Sequence, residues 1–157
     1  MQQLNAMEDF HRDISYRLLK KESGTAILAA SLLDRFHDIA VQVIVDVTTL
    51  AIVSATADFR RSPTVDCGDV CARLSGLAGF VIGRGLQRKI AEVLGGCEGC
   101  GNLRHLLLGL LPLALNLNAA AGITDEREMM DAIQDKLTGT CAGYVGPLAA
   151  AKKSSDL

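Results

Sequence analysis

The side chains in this sequence whose type and spacing could do chemistry are its five cysteines. They fall in three segments: Cys67 with Cys71, Cys97 with Cys100, and Cys141 alone. On an α-helix, residues four apart share a face, so Cys67 and Cys71 could present two sulfurs together. The glycine-flanked CEGC of Cys97 to Cys100 could fold back and do the same. Four thiolates suit zinc or an iron–sulfur cluster, and the expected metal ligands are Cys67, Cys97, Cys100 and Cys141. Cys71 lies on the apolar stripe of its segment and reads as a small buried hydrophobe. A helix N-terminus stabilises a thiolate, which favours Cys67 in a first turn and Cys97 or Cys100 just before a helix start. A second chemistry follows, in which Cys97 and Cys100 cycle between dithiol and disulfide, or Cys100 acts as a nucleophile helped by His105.

Other motifs are absent. No serine stands in a nucleophile-elbow context, and GFVIGRG lacks the Gly-Lys-Ser/Thr of a phosphate loop, so its glycines are expected to serve turns and close packing. His11 and His37 lie near the N-terminus and at a strand junction, and no catalytic residue is assigned.

Composition limits the function classes. In 157 residues, 16 Lys and Arg face 18 Asp and Glu, a net charge of −2 that offers no field for a phosphate backbone. Four Phe, two Tyr and no Trp leave little for base stacking, so nucleic acid is not an expected partner. With 49% hydrophobic and 22% charged residues, the chain has the makings of a packed core. MQQLNAMEDFHRDIS has acids where a signal peptide needs an apolar run. Leu106 to Leu115 is far shorter than the ~20 residues of a bilayer span. Neither membrane nor export is expected, and in a reducing cytoplasm an odd number of thiols points away from a disulfide framework.

The elements that must position these thiols read as a sheet followed by helices. Val41, Val43, Val45 and Val47 alternate with polar residues, and alternation resumes with Val53, Ala55, Ala57 and Phe59 turned to one face. Ile14 to Lys20 and Thr25 to Leu33, separated by Glu22-Ser23-Gly24, complete a four-stranded antiparallel meander, although Ala26 to Leu33 has helical propensity. After Pro63 the period becomes helical. Asp66 is the expected N-cap of a first helix carrying Cys67, Val70, Cys71, Leu74 and Leu77. Leu86 to Leu94 forms a second helix stopped by Gly95-Gly96, and Leu103 to Ala121 a third. Asp125 with Glu128 caps a fourth, whose Met130, Ile133 and Leu137 are expected to face inward. The fold class is α+β: an N-terminal antiparallel β-meander and about four C-terminal helices packed on one face, as a single domain over residues 10–145 with frayed ends at 1–9 and 149–157.

FHDIAVQVIVD, SP-x3-C at Ser62 to Cys67, GRGLQRKIAEVLGG and the Gly-Cys at Gly99-Cys100 resemble the pattern of an uncharacterised bacterial family known only as a domain of unknown function. Its motifs are Pro-x3-Cys, Leu-Gly-Gly, Gly-Cys-Thr-His-Leu and a later isolated Cys. The resemblance spans residues 10 to 145 and implies roles for Cys67, Cys100 and Cys141, and more weakly for His37 and Asp38. Asn102 stands where the pattern has His; if the pattern's Cys and His form a metal site, either Cys97 replaces that ligand or the site is degenerate in this chain. The layout is also similar to iron–sulfur scaffold proteins and to small cysteine-bearing domains of some ribonucleotide reductases, a likeness of fold alone. A third function class is an interaction module: a homo-oligomer through the apolar helix Leu103 to Ala121, or a module for another protein partner, with inert cysteines.

Overall fold

The computed structural model describes residues 8–144, and the ends expected to fray lie almost wholly outside them. The described residues fall in two compact units, 8–115 and 116–144.

The first unit is built on a sheet of four antiparallel strands in the order β1-β2-β3-β4: β1 Arg12–Glu22, β2 Thr25–Asp34, β3 Asp38–Asp46 and β4 Ile52–Arg61. Alternation dictates its two faces. Ala26, Leu28, Ala30 and Leu32 of β2 and Ile39, Val41, Val43 and Val45 of β3 are buried, while residues between them are part-exposed. The Ala- and Leu-rich β2 is a strand despite its helical propensity, because both of its edges are hydrogen-bonded to neighbours.

On β4 the alternation slips. Ala55, Ala57 and Phe59 pair with Val43, Val41 and Ile39, but a register shift follows, and Ile52, not Val53, pairs with Val45. Ile52 is 1% exposed and Val53 is 52% exposed, so the bulge reverses the expected placement of Val53. A short stretch beyond the sheet extends this edge, with an isolated bridge between Ala51 and Val81.

A 13-residue 3-10 helix, Val65–Leu77, packs against β4. Then come α1 Leu86–Leu94, α2 Gly101–Leu110, α3 Leu113–Ala119 and α4 Glu126–Leu137. The expected single helix from Leu103 to Ala121 is two, because a proline inside a helix lacks its N–H and clashes with the preceding turn, and Pro112 lies at the break. Leu103, Leu106, Leu107 and Leu110 of α2 are each 0% exposed, and the helix packs on β1 and β2. At about 1.5–3 kcal/mol per buried leucine, this face is a principal source of stability. It is covered within the chain, and Leu108 is the large apolar residue of α2 left exposed.

In the second unit, Asp125 caps α4 as expected, its carboxylate accepting from the Glu128 N–H at 2.9 Å. None of the residues of α4 is buried and Met130 is 52% exposed, so the inward stripe expected there is not formed: Ile133 and Leu137 are half-buried and Met130 faces solvent.

The close approach of α2 to β1 depends on Gly109, since a β-carbon there would overlap the Tyr16 ring and hydroxyl. Gly109→Ala is expected to destabilise the protein by about 1–3 kcal/mol in denaturant unfolding, through displacement of Tyr16.

Candidate functional site

Two constellations occupy the first unit. One is the thiol cleft and the other is a buried carboxylate.

The winding of Val65–Leu77 governs the thiols. A 3-10 helix has about three residues per turn, so residues at i and i+3 eclipse and those at i and i+4 lie about 120° apart. Cys67, Val70, Arg73 and Gly76 therefore form one column, and Cys71, Leu74 and Leu77 another. The expectation that Cys67 and Cys71 share a face does not hold, because it assumes 3.6 residues per turn. Asp66 is not the N-cap either. Thr64, in extended conformation, precedes the helix, and Asp66 sits within the first turn.

Cys67 opens onto a cleft of about 490 Å³ lined by Thr64, Asp66, Asp69, Val70, Arg73 and, from the loop between α1 and α2, Cys97, Glu98 and Gly99. The loop is held there by Arg73, whose Nε donates to the Val93 carbonyl at 2.7 Å and whose Nη1 donates to Glu98 at 3.1 Å. Gly76 lets the helix lie against Val93. Gly99 packs so tightly on the Leu94 and Gly95 carbonyls that a β-carbon would overlap backbone atoms, which makes glycine obligatory at that turn.

The Thr64 hydroxyl lies 3.3 Å from the Cys67 sulfur. Hydrogen bonding from the Thr64 side chain and backbone holds the Cys67 thiol below its usual pKa, and Ser62 adds to this, against the opposing effects of burial and of the Asp66 charge. Cys71 is the reverse case: burial pushes its thiol up, with Asp58 and Cys100 adding to the rise. Cys97 is exposed, Cys100 half-buried at the N-cap of α2, and Cys141 exposed in the second unit. His105 is exposed on a separate shallow cleft with Gln87, Ala91 and Arg104. Of the four expected metal ligands, Cys67 and Cys97 share the cleft. Among the described residues, no group of three or more His, Cys, Asp or Glu side chains is placed to hold a metal ion.

The second constellation includes His37 but centres on an aspartate that the sequence motifs do not point to. Asp34, at the end of β2, has a side chain with no solvent exposure, and both oxygens are satisfied. Its Oδ1 accepts from the Phe36 and His37 backbone N–H groups at 2.8 Å each and contacts His37 Nδ1 at 3.0 Å. Its Oδ2 takes Arg12 in a double contact, Nε at 2.8 Å and Nη2 at 2.7 Å. Arg61 donates to the Asp34 carbonyl at 3.0 Å, and Arg12 reaches on to the Asn102 side chain at 3.1 Å. Burial opposes ionisation, but the bonds from Phe36, His37 and Arg12 outweigh it and lower the Asp34 pKa from 3.8 to about 2. The signal that the sequence does carry is the Asp at the start of the DRFH turn, where an aspartate can accept from backbone N–H groups two and three residues on.

An antiparallel meander whose inner face is covered by cysteine-bearing helical segments, with two thiols on one cleft, defines a small α+β protein with an accessible thiol site. The sequence profile described as "Protein of unknown function (DUF2889)" matches residues 8–116, and the chain belongs to that family. The matched region holds Cys67, Cys71, Cys97, Cys100 and the Asp34 cluster, and ends before Cys141. No curated protein and no solved structure matches the chain.

Two outcomes test this geometry. Because the folded-state pKa of Asp34 lies below its unfolded value, its contribution is fully present above about pH 4 and is lost as pH falls towards 2. The loss is about 2 kcal/mol, read from denaturant unfolding against pH, and Asp34→Asn should flatten that window while destabilising the protein by about 3 kcal/mol at pH 7. Thr64→Val should raise the Cys67 pKa, seen as slower iodoacetamide labelling of that residue near neutral pH with labelling of Cys97 unchanged.

Proposed function

We propose that the protein is a thiol-disulfide exchange protein in which Cys67 is the attacking thiolate and Cys97 the resolving thiol. The observation that carries this reading is the shared cleft, onto which a thiol with lowered pKa and a second accessible thiol both open. Cys67 thiolate attacks one sulfur of a disulfide RS–SR, forming Cys67–S–SR and releasing RS⁻. Cys97, losing its proton to solvent, then attacks the Cys67 sulfur and releases the second RS⁻. The protein dithiol is oxidised to a disulfide and the substrate is reduced to two thiols. The reading pairs Cys97 with Cys67 across the cleft in place of Cys100 along the chain.

The competing reading is a thiolate site for zinc or an iron–sulfur cluster on Cys67, Cys97, Cys100 and Cys141. Among the described residues Cys67 and Cys97 alone of these four line the same cleft.

The test is reaction of the reduced, full-length protein with bis(2-hydroxyethyl) disulfide, resolved by peptide mass and accompanied by metal analysis. Cys67 should react at least about ten-fold faster than Cys141, an exposed thiol outside the cleft. Cys97→Ser should stop at the mixed disulfide on Cys67, and Cys67→Ser should abolish the fast phase. Equal reactivity of Cys67 and Cys141 would refute the exchange reading. One equivalent of bound zinc or a cluster absorption, lost in Cys67→Ser, would establish the metal reading in its place.

A further inference from the structure

We propose that the thiol cleft selects disulfides that carry positive charge, of the small aminothiol class, over neutral or anionic ones; this rests on the exchange reading above. The inference comes from the charges that share the cleft with the two sulfurs. Asp66 and Asp69 lie three apart on the 3-10 helix, so they eclipse and form an acidic column beside that of Cys67. Glu98 joins them from the facing loop.

Among the described residues, Arg73 is the one cationic side chain lining the cleft, and it is paired there: its Nε donates to the Val93 carbonyl and its Nη1 to Glu98. It cancels Glu98 and leaves Asp66 and Asp69 to set the sign. The thiolate of Cys67 adds a further negative charge. Such a field accelerates encounter with cations and slows it with anions by roughly 10- to 1,000-fold, and weakens as salt shortens the Debye length. Asp66 also opposes ionisation of Cys67, so the acidic column has a cost that the Thr64 hydrogen bonds offset. An ammonium group next to the attacked disulfide would meet Asp66 or Asp69 and lessen that opposition in the encounter complex. A glutathione-type disulfide brings carboxylates into the same space and is repelled.

The experiment compares three probes on the full-length reduced protein at low ionic strength: cystamine, bis(2-hydroxyethyl) disulfide and glutathione disulfide. Rates at Cys67 are divided by those of a blocked cysteine model thiol to remove intrinsic differences in leaving group. The cystamine rate, so normalised, should exceed that of the neutral probe by about ten-fold, with glutathione disulfide slower than both, and the spread should shrink in about 0.5 M salt as the screening length falls. Asp66→Asn with Asp69→Asn should bring the cystamine-to-neutral ratio close to one. A ratio is read because any change in the Cys67 pKa affects both probes alike. Normalised rates that are equal for the three probes, or fastest for glutathione disulfide, would overturn the charge selection and leave the exchange reading standing. Failure of Cys67 to react with any of the three would overturn the exchange reading, and the selection with it.

Discussion

With about three residues to the turn, the helix from Val65 to Leu77 sends Cys67 and Cys71 to faces some 120° apart, and the contrast between their surroundings follows from that separation. Cys71 joins the column of Leu74 and Leu77, which are both 0% exposed, and burial disfavours its thiolate. Cys67 joins Val70 and Arg73 on the cleft, within reach of the Thr64 hydroxyl. Wound as an α-helix, the same residues would bring the two sulfurs onto one face and move Arg73 relative to Cys67. Arg73 is also the tie that holds the α1–α2 loop, and with it Cys97, against the helix.

The Asp34 cluster serves the other end of the sheet. Arg12 and Asp34 are paired residues on β1 and β2, and Arg61 closes on the same residue's carbonyl from the end of β4, so one aspartate gathers three strands and the turn leading to β3. Through Arg12 it also touches Asn102, in the first turn of α2, two residues beyond Cys100. A buried ion pair of this kind is weak evidence for net stability, because desolvation consumes much of the attraction. Its removal is costly all the same, and through Arg12 it ties β1 to the first turn of α2. His37 and Asn102, far apart in the chain, meet here through Asp34 and Arg12.

The sheet is legible in the sequence because its signal is local and repeated. Four valines in alternation at 41 to 47 fix the face of β3, and each neighbouring strand must match it. Where a bulge intervenes the rule fails: strict alternation puts Val53 inside, where Ile52 belongs. Pro112 is visible, yet the apolar run on both sides of it reads as one helix. The 3-10 winding is not legible, since Val70, Leu74 and Leu77, spaced i, i+4 and i+7, fit the 3.6 period of an ordinary α-helix better than a period of 3.0. The Asp34 cluster is hidden for another reason: Arg12 lies 22 residues from Asp34, Asn102 lies 90 from Arg12, and no local pattern encodes such meetings. The glycines of the α1–α2 loop read as turn formers, which Gly96 at φ +72° satisfies, but the requirement at Gly99 is steric exclusion by the Leu94 carbonyl.

All of the chemistry assigned to the cleft requires Cys67 and Cys97 to act as a pair. That pairing is tested most directly by equilibrating the full-length protein in a graded dithiothreitol redox buffer, trapping the thiols with acid and alkylation, and mapping disulfide-linked peptides by mass. The first intramolecular disulfide to form is predicted to join Cys67 to Cys97, with Cys71 still reduced. A first disulfide between Cys97 and Cys100, or between Cys67 and Cys71, with no Cys67–Cys97 linkage at any potential, would contradict it.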